Sequence, residues 1–232
     1  MKHLLKVSII KTLPVMAGYI VLGIGFGILS QKNGYGIWWA LAMSIFIYAG
    51  SMQYVTISLL TSGASLIAAA LTTLMVNARH LFYGISMVNT YKDAGKRKPY
   101  LIFGLTDETY SLVCTGDYPE GVDKYSYCLC VSLFNQLYWV TGTVLGVVAG
   151  KLITIDTTGI DFSMTALFIT VFVEQWRSTK NHIPAVTGVV ISILCLLIFG
   201  REHFLIPAMV GISLVLTIGK KYIDDEEEAK NE

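Results

Sequence analysis

The stretch LMVNARHLFYG, residues 74–84, places Asn77, Arg79 and His80 within one turn of an apolar segment that is long enough to cross a lipid bilayer. A charge at the centre of a bilayer costs roughly 2.5 to 3.5 kcal/mol on insertion-based scales, so such an arginine usually faces a protein interior or a water-filled path and has a partner there. Other apolar segments carry candidate partners inside them or at their edges: Asp107, Glu108 and Glu174.

Composition agrees with a membrane location. The 232 residues are 54% hydrophobic and 14% charged, with a mean hydropathy of +0.60, whereas about 25% of residues are charged in an ordinary soluble domain. Eight apolar stretches lie near residues 12–30, 37–61, 64–90, 99–116, 125–150, 160–174, 183–200 and 204–219. We therefore expect an all-α integral membrane protein, with a single transmembrane domain over 1–232 and an acidic cytoplasmic tail at 222–232. The net charge of +1 argues against a nucleic-acid partner.

The positive charges indicate how the chain crosses the bilayer, because short cytoplasmic loops carry the excess of lysine and arginine. If all eight stretches cross, nine basic residues lie inside and seven outside, and the loop KDAGKRK at 92–98 falls on the wrong side. If 37–61 and 160–176 instead break, or dip into the membrane and return, thirteen lie inside and only Lys32, Lys124 and Arg201 lie outside. The second arrangement, with both termini in the cytoplasm, is the prediction.

The first of these two segments carries its own signal for a break. Residues 48–53, YAGSMQ, interrupt the apolar run with a glycine and two polar side chains. Broken backbone at membrane depth is tolerated where it is buried in protein or lines a wet cavity, so a half-helix end here could bind a substrate. The alternative is a continuous helix in which Gly50 and Ser51 allow close packing.

The glycine spacing indicates a duplication. Gly23 and Gly27 form a G-x-x-x-G pattern in the first stretch, and Gly142, Gly146 and Gly150 repeat it about 120 residues later. We expect pseudo-repeats near 12–116 and 125–219. If the two dipping segments do not cross, these halves are inverted repeats, an arrangement common in secondary transporters.

Five strings resemble one family throughout the chain: GSMQYVTISLLTSGA (50–64), NARHLFYG (77–84), LTDETYSL (105–112), WVTGTVLGVVAG (139–150) and GIDFSMTALFITVFVEQ (159–175). The sequence is similar to the AzlC or YgaZ type of branched-chain amino acid permease. The resemblance implies a multi-pass protein of the bacterial inner membrane that exports valine, leucine and isoleucine, and in some members methionine. It also implies a small membrane partner of the AzlD or YgaH type, and no cofactor or metal is expected.

A zwitterionic amino acid needs a donor for its carboxylate, an acceptor for its ammonium group and an apolar pocket. For the carboxylate we predict Arg79, assisted by Ser51, Gln53 or backbone N–H groups freed at the break. The alternative for Arg79 is a structural ion pair with Asp107 or Glu108, and the two roles could coexist. Asn77 and Asn135 complete the predicted substrate-binding set.

Four residues are candidates for proton or ion coupling, or for ion pairs: His80, Asp107, Glu108 and Glu174. Asp107 and Glu108 point about 100° apart on a helix, so we expect one to face the pathway and the other a partner, and Asp107 has the more polar face. His80 could relay a proton or be satisfied by a helix neighbour. Glu174 could equally be a solvated charge at the membrane surface.

Two rival functions remain open. A membrane-embedded enzyme would use Asp107, Glu108 and His80 as acid and base groups, but no metal-ligand pairing, nucleophile elbow or phosphate loop supports it. A structural membrane subunit would use the same residues only in static ion pairs. The leading hypothesis is a secondary transporter driven by an ion gradient.

Overall fold

The computed structural model describes residues 2–116, 118–152, 162, 169, 172–173, 176–177, 181–204, 207–208 and 210–219. The chain forms two compact units, Met1–Met164 and Thr165–Glu232. The described part is helical and contains no β strand, which agrees with the predicted all-α class. The acidic tail at 222–232 lies outside the described residues.

The first unit contains seven α-helices among its described residues: α1 (Lys2–Lys32), α2 (Ile37–Ala42), α3 (Gly50–Thr61), α4 (Leu66–Ser86), α5 (Lys98–Phe103), α6 (Asp107–Val113) and α7 (Lys124–Leu152). A π-helical turn, Met43–Ile47, extends α2, and a 3₁₀ turn, Gly95–Arg97, precedes α5. The second unit contains α8 (Ile183–His203) and α9 (Val210–Gly219). In the described part, four helices are long and apolar enough to cross a membrane: α1, α4, α7 and α8.

Helices α1 and α7 pack side by side and run parallel. Gly23 lies against Trp139 and Thr143, and Gly150, further along α7, lies against Ile28. The residue numbers of the contacting partners increase together along α1 and α7, with a nearly constant difference between them. This happens only when two helices point the same way. The predicted inverted repeat is therefore wrong for this pair, because inverted halves would place their first helices antiparallel.

The glycines predicted to pack helices do so at this contact. A Cβ added to Gly142 would lie 2.7 Å from the Ile20 carbonyl oxygen and 2.9 Å from the Ile20 Cα. A Cβ on Gly27 would meet the Thr143 carbonyl oxygen, and one on Gly146 that of Ile24. Small residues let the two backbones touch, which is how membrane helices gain packing energy when lipid offers no hydrophobic drive.

Most basic residues of the first unit lie at one of its ends, near Lys2, Arg97 and Lys124, and we call it the basic end. Arg97 donates to Asp123 at 2.8 Å, so the loop before α5 lies beside the start of α7. The N-terminal turns of α1 pack into the same cluster, where Leu4 and Val7 contact a core that includes Tyr91 and Tyr127. Lys124 therefore lies at the same end as Lys2, which corrects the prediction that Lys124 lies on the other side from the N-terminus.

Residues 37–61, the first hairpin, enter from the other end of α7 and return to it. Near the tip of the hairpin, the Ile45 carbonyl accepts from Gln136 at 3.1 Å, and Gly50 lies against Trp139. In the returning helix α3, Tyr54 donates to the Leu22 carbonyl at 2.8 Å. The predicted break is confirmed at its tip. Tyr48 has a left-handed conformation with a φ of 43°, and Ala49 is extended before α3 begins at Gly50.

Residues 98–113, the second hairpin, enter from the basic end and also return. Before the hairpin, Arg97 binds Asp123 next to the start of α7. Within it, Thr109 binds Asn135, twelve residues further along α7 than Asp123. After it, Tyr118 contacts Tyr127, again near the start of α7. Twelve residues of α7 rise about 18 Å, less than the roughly 30 Å of a bilayer core. The prediction of one crossing helix over 99–116 is therefore wrong. Gly104 and Thr106 separate two short helices, α5 and α6.

Helix α4 connects the two ends and runs antiparallel to α1. It begins after Ser65, whose hydroxyl caps it by accepting from the Ala68 N–H at 3.2 Å. Its last turn lies beside α6, where Ser86 donates to the Tyr110 hydroxyl at 3.0 Å. The described part of the first unit thus consists of three long helices with one re-entrant hairpin from each end.

Candidate functional site

Arg79 on α4 binds the tips of both hairpins. Its Nη1 lies 2.6 Å from Asp107 Oδ2 in the second hairpin, and its Nη2 donates to Ser51 Oγ in the first hairpin at 2.6 Å. The Arg79 and Asp107 side chains are 26% and 21% exposed. The sequence left open whether Arg79 pairs with a carboxylate of the chain, and the structure shows that it pairs with Asp107.

The local sequence explains how Asp107 is presented. Thr106 caps α6 by accepting from the Thr109 N–H at 3.2 Å, so Asp107 stands in the first turn, where a negative charge is favourable. Its second oxygen accepts from the Tyr83 hydroxyl at 2.6 Å. Because Tyr83 follows Arg79 by four residues on α4, both donors come from one helix face. The carboxylate is thus held at each of its oxygens.

Ala49 precedes α3 in an extended conformation. Among the described residues, no side chain caps the start of α3 as Thr106 caps α6. Ser51 lies in this first turn and is 8% exposed. Free N–H groups and the helix dipole make a helix start attractive to an anion, and here that start lies beside the Arg79 guanidinium.

Glu108 takes a different direction from Asp107, as predicted for adjacent helical residues. The Tyr19 hydroxyl donates to Glu108 Oε2 at 2.7 Å and lies 2.6 Å from Thr106 Oγ1. Thr106 Oγ1 lies 3.0 Å from Thr109 Oγ1, which accepts from Asn135 Nδ2 at 2.9 Å. This chain of hydroxyl groups joins α1, the second hairpin and α7.

Gln53 belongs to a separate buried group. Its Nε2 donates to Ser44 Oγ at 3.1 Å, and Ser44 Oγ lies 3.0 Å from Thr143 Oγ1. All three side chains are fully buried. The contact fixes the two halves of the first hairpin to each other and to α7, so Gln53 supports the tip and has no contact with Arg79 among its hydrogen bonds.

The remaining predicted residues lie less centrally or outside the described part. His80 Nδ1 lies 3.3 Å from the Asn77 carbonyl, and its ring contacts Tyr83 edge-on. The neighbour that satisfies His80 is thus on its own helix. Asn77 is half-buried on the same helix face. Glu174 lies outside the described residues.

Sequence reasoning missed the residues that connect the carboxylates to the rest of the fold. Tyr19 and Tyr83 hold Glu108 and Asp107, and Ser44 and Thr143 hold the first hairpin. Tyr83 was detectable from its i, i+4 spacing to Arg79. Nothing local distinguishes Tyr19, Ser44 or Thr143 from other polar residues in apolar helices, because their partners are distant in sequence.

The second unit contains a cavity of about 600 Å³ whose walls are mainly apolar. Trp176 stacks on His182 at its edge, with ring centroids 4.0 Å apart and planes within 3°. The cavity is open to its surroundings and lined from α8, α9 and the residues before α8. Its charged and polar groups are few compared with those around Arg79, so the hairpin tips are the stronger candidate site.

Long apolar helices, two broken hairpins and a half-buried arginine–carboxylate pair define a polytopic membrane protein with a polar centre. The AzlC protein family model matches residues 14–153, which include most of α1, both hairpins, α4 and α7. The chain belongs to the AzlC family, and the resemblance read from the sequence is confirmed.

Curated relatives cover most of the chain. The Bacillus subtilis branched-chain amino acid transport protein AzlC is 44% identical over 216 residues, which are 93% of this chain and 85% of the relative. An uncharacterized membrane protein of Helicobacter pylori strain 26695 is 41% identical over 92% of this chain and 93% of its own. The inner membrane protein YgaZ of Escherichia coli K12 is 27% identical over 88% of this chain and 84% of that protein. No solved structure matches the chain significantly.

Proposed function

We propose that this protein is the large subunit of a secondary transporter that exports branched-chain amino acids across the bacterial cytoplasmic membrane. The name of the Bacillus relative supports the substrate class. The observation that carries the proposal in this chain is the Arg79–Asp107 pair at the meeting point of two broken hairpins. Half-helix ends that meet at buried charges are a recurrent design of substrate sites in secondary transporters.

The ion pair is complementary to a zwitterion. An amino acid carries a carboxylate and an ammonium group on one carbon, so it can insert between Arg79 and Asp107 with its carboxylate on the guanidinium and its ammonium on Asp107. Ser51 and the uncapped start of α3 add donors on the carboxylate side. Every charge that the substrate brings then meets an opposite one, so the cost of burying it is offset.

The surroundings suit an apolar side chain. The rings of Tyr48 and Phe103 lie 6.0 Å apart at the hairpin tips, and Tyr83 stacks on Tyr110 with centroids 4.6 Å apart. The side chains of valine, leucine and isoleucine bury only apolar surface on entering such a place. This burial is favourable by about 25 cal/mol for each Å² removed from water. None of these four residues carries a charge that could neutralise a charged side chain.

The two hairpins provide the alternating access that a transporter needs. Each enters from a different end of α7, so withdrawing the first hairpin from Arg79 would open the site to one side, and withdrawing the second would open it to the other. Arg79 holds Ser51 and Asp107 at once. Substrate that replaces one of these contacts would release one hairpin, which ties opening to binding.

Charge supports a cytoplasmic basic end. Within 2–152, apart from Arg79, two basic residues lie toward the opposite end, Lys32 and Lys151, and eight lie toward the basic end: Lys2, Lys6, Lys11, Lys92, Lys96, Arg97, Lys98 and Lys124. The positive-inside rule then places the N-terminus in the cytoplasm. We also propose the small AzlD or YgaH type of membrane subunit as partner, on the strength of the family resemblance.

Efflux from cells tests the function. Cells loaded with a leucine dipeptide, and expressing the small partner, should release leucine faster with this protein than without it. Arg79→Ala should abolish the gain. Arg97→Ala is the matched control, because it removes an arginine–aspartate pair of similar length, 2.8 Å, that is exposed at the basic end. Equal efflux with and without the protein would reject the function for leucine, and full efflux by Arg79→Ala would leave only a structural role for that residue.

A further inference from the structure

A half-buried carboxylate, Glu108, lies beside the proposed site. In the part of the chain that the structure describes, the two salt bridges are Arg79–Asp107 and Arg97–Asp123, and neither includes Glu108. Glu108 is held instead by the Tyr19 hydroxyl at 2.7 Å. A carboxylate partly removed from water and outside any salt bridge is costly to keep charged, and binding one proton removes that cost.

The charged and titratable groups facing Glu108 come from several elements. Tyr19 faces it from α1, Tyr48 from the first hairpin, and Arg79 from α4, while Asp107 is its neighbour on α6. The contact from α7 is Asn135, which has no charge and joins through Thr109. Arg79 directs Nη1 to Asp107 and Nη2 to Ser51. The two carboxylates therefore have different surroundings, and Asp107 holds the cation.

Glu108 is the end of a continuous chain of hydroxyl groups. Tyr19, Thr106 and Thr109 follow it, with successive oxygens 2.7, 2.6 and 3.0 Å apart. Tyr19 is 4% exposed and Thr109 is fully buried. The Tyr19 hydroxyl donates to Glu108, whereas the Thr106 hydroxyl donates away from it, to Thr109. With Glu108 charged, the single Tyr19 hydrogen is used on the carboxylate, so the 2.6 Å contact between Tyr19 and Thr106 has no hydrogen; with Glu108 protonated, the carboxyl can donate to Tyr19 and Tyr19 can donate to Thr106.

The far end of the chain is a buried amide. Asn135 is fully buried, and its Oδ1 has no hydrogen-bond partner in the described part of the chain. Its Nδ2 donates to Thr109 Oγ1 at 2.9 Å, and Thr109 also accepts from Thr106. Because an amide does not release a proton, this chain orders the surroundings of Glu108 and does not lead its proton away.

We propose that Glu108 is the proton-binding residue that couples transport to a proton gradient, with Tyr19 as the hydroxyl that hydrogen-bonds both its charged and its protonated form. This inference rests on the proposed transport function. One proton bound at Glu108 enters the cell as one amino acid leaves. The sequence left four candidates for this role, and the inference selects Glu108 because Asp107 is paired with Arg79.

Protonation also has a mechanical consequence. Glu108 belongs to the second hairpin, and Tyr19 belongs to α1, which is fixed along its length to α7. A hydrogen bond to a charged acceptor is roughly twice as strong as one between neutral groups. Protonation therefore loosens the second hairpin from the α1–α7 pair and favours opening at the basic end.

Liposomes containing the full-length protein, with its small partner where required, separate two kinds of leucine transport. Exchange of labelled for unlabelled leucine at equal pH needs substrate binding and gate movement only, whereas net movement driven by a pH gradient also needs coupling. Glu108→Gln should keep exchange within about twofold of wild type and lose the stimulation by the gradient. Glu120→Gln, which removes an exposed carboxylate near Glu108 in sequence, should leave both unchanged.

Other outcomes have definite meanings. If Glu108→Gln is stimulated by the gradient as much as wild type, the proton site lies elsewhere and the inference is wrong. If wild type exchanges leucine but ignores the gradient, the inference fails while the transport function stands; if wild type does neither, the function fails. Should Glu108→Gln not fold, Tyr19→Phe decides, because it keeps the carboxylate and removes the hydroxyl that hydrogen-bonds it: a pH dependence of gradient-driven transport equal to that of wild type would overturn the inference.

Discussion

Gly146→Ala should destabilise the protein by separating α1 from α7. The added Cβ would meet the Ile24 carbonyl oxygen and lie 2.7 Å from the Ile24 Cα. Carbon atoms prefer about 3.5 to 4.0 Å, so the helices must part by roughly 1 Å. Neither contact atom is a side chain that could turn away. Overpacking of this kind costs about 1 to 3 kcal/mol.

Gly18→Ala is the matched control on the same pair of helices. A Cβ at Gly18 would have nothing within 4 Å. That variant should gain up to about 1 kcal/mol from the better helix propensity of alanine. The measurement is helix content during a denaturant titration in mixed micelles. Equal stabilities for the two variants would refute the close parallel packing.

The remaining predictions concern the ends of the fold and the support of Asp107. Cysteines at Lys124 and Lys151 should react with an impermeant thiol reagent from opposite sides of the membrane, Lys124→Cys from the side of the N-terminus; labelling of both from one side would contradict the parallel arrangement. Tyr83→Phe removes a 2.6 Å hydrogen bond to the Asp107 carboxylate and should lower stability by about 1.5 kcal/mol, measured by the same titration; an unchanged midpoint would show that this bond contributes nothing. The Ser126 hydroxyl and Arg97 hold the pKa of Asp123 below its usual range. The contacts of the Asp123 carboxylate therefore stabilise the fold at neutral pH, and this stabilisation is lost as pH falls through the lowered pKa. Asp123→Asn should mimic acid by speeding proteolysis of the 92–98 loop at pH 7, and a cleavage rate equal to wild type would contradict the contact.

The break in the first hairpin could be predicted because its signals are local. Gly50, Ser51 and Gln53 interrupt an apolar run, and the structure breaks at the two residues before them. The break in the second hairpin left signals too, since Gly104 and Thr106 are typical of a helix end and a helix start. They were outweighed by an apolar run of spanning length, 99–116.

The direction of α7 could not be read from charge. Lys124 and Lys151 stand at its two ends, so reversing the helix exchanges one lysine for another and leaves eight basic residues at one end and two at the other. The glycine spacing predicted that α1 and α7 use small residues for packing, but a spacing is the same for parallel and antiparallel pairs. Only the contacts, Gly23 to Thr143 and Gly150 to Ile28, decide.

The charged residues of the candidate site could be predicted from the sequence, but their hydrogen-bond partners could not. Arg79 and Asp107 are conspicuous in apolar surroundings, and they form the pair. That Glu108 turns to Tyr19 depends on how the second hairpin meets α1, because the two partners are 89 positions apart in the sequence. Helical geometry predicted two directions for the two carboxylates, but it could not assign a partner to each.

Binding of leucine and leucinol to the purified protein tests the central claim, that Arg79 holds the substrate carboxylate, most directly. Leucinol keeps the ammonium group and side chain of leucine but has a hydroxyl in place of the carboxylate. A charge-assisted pair with Arg79 is worth about 1.5 to 3 kcal/mol, so wild type and the Arg97→Ala control should prefer leucine by roughly 10- to 100-fold. Arg79→Ala should bind both compounds equally weakly. A preference for leucine that survives in Arg79→Ala would contradict the account.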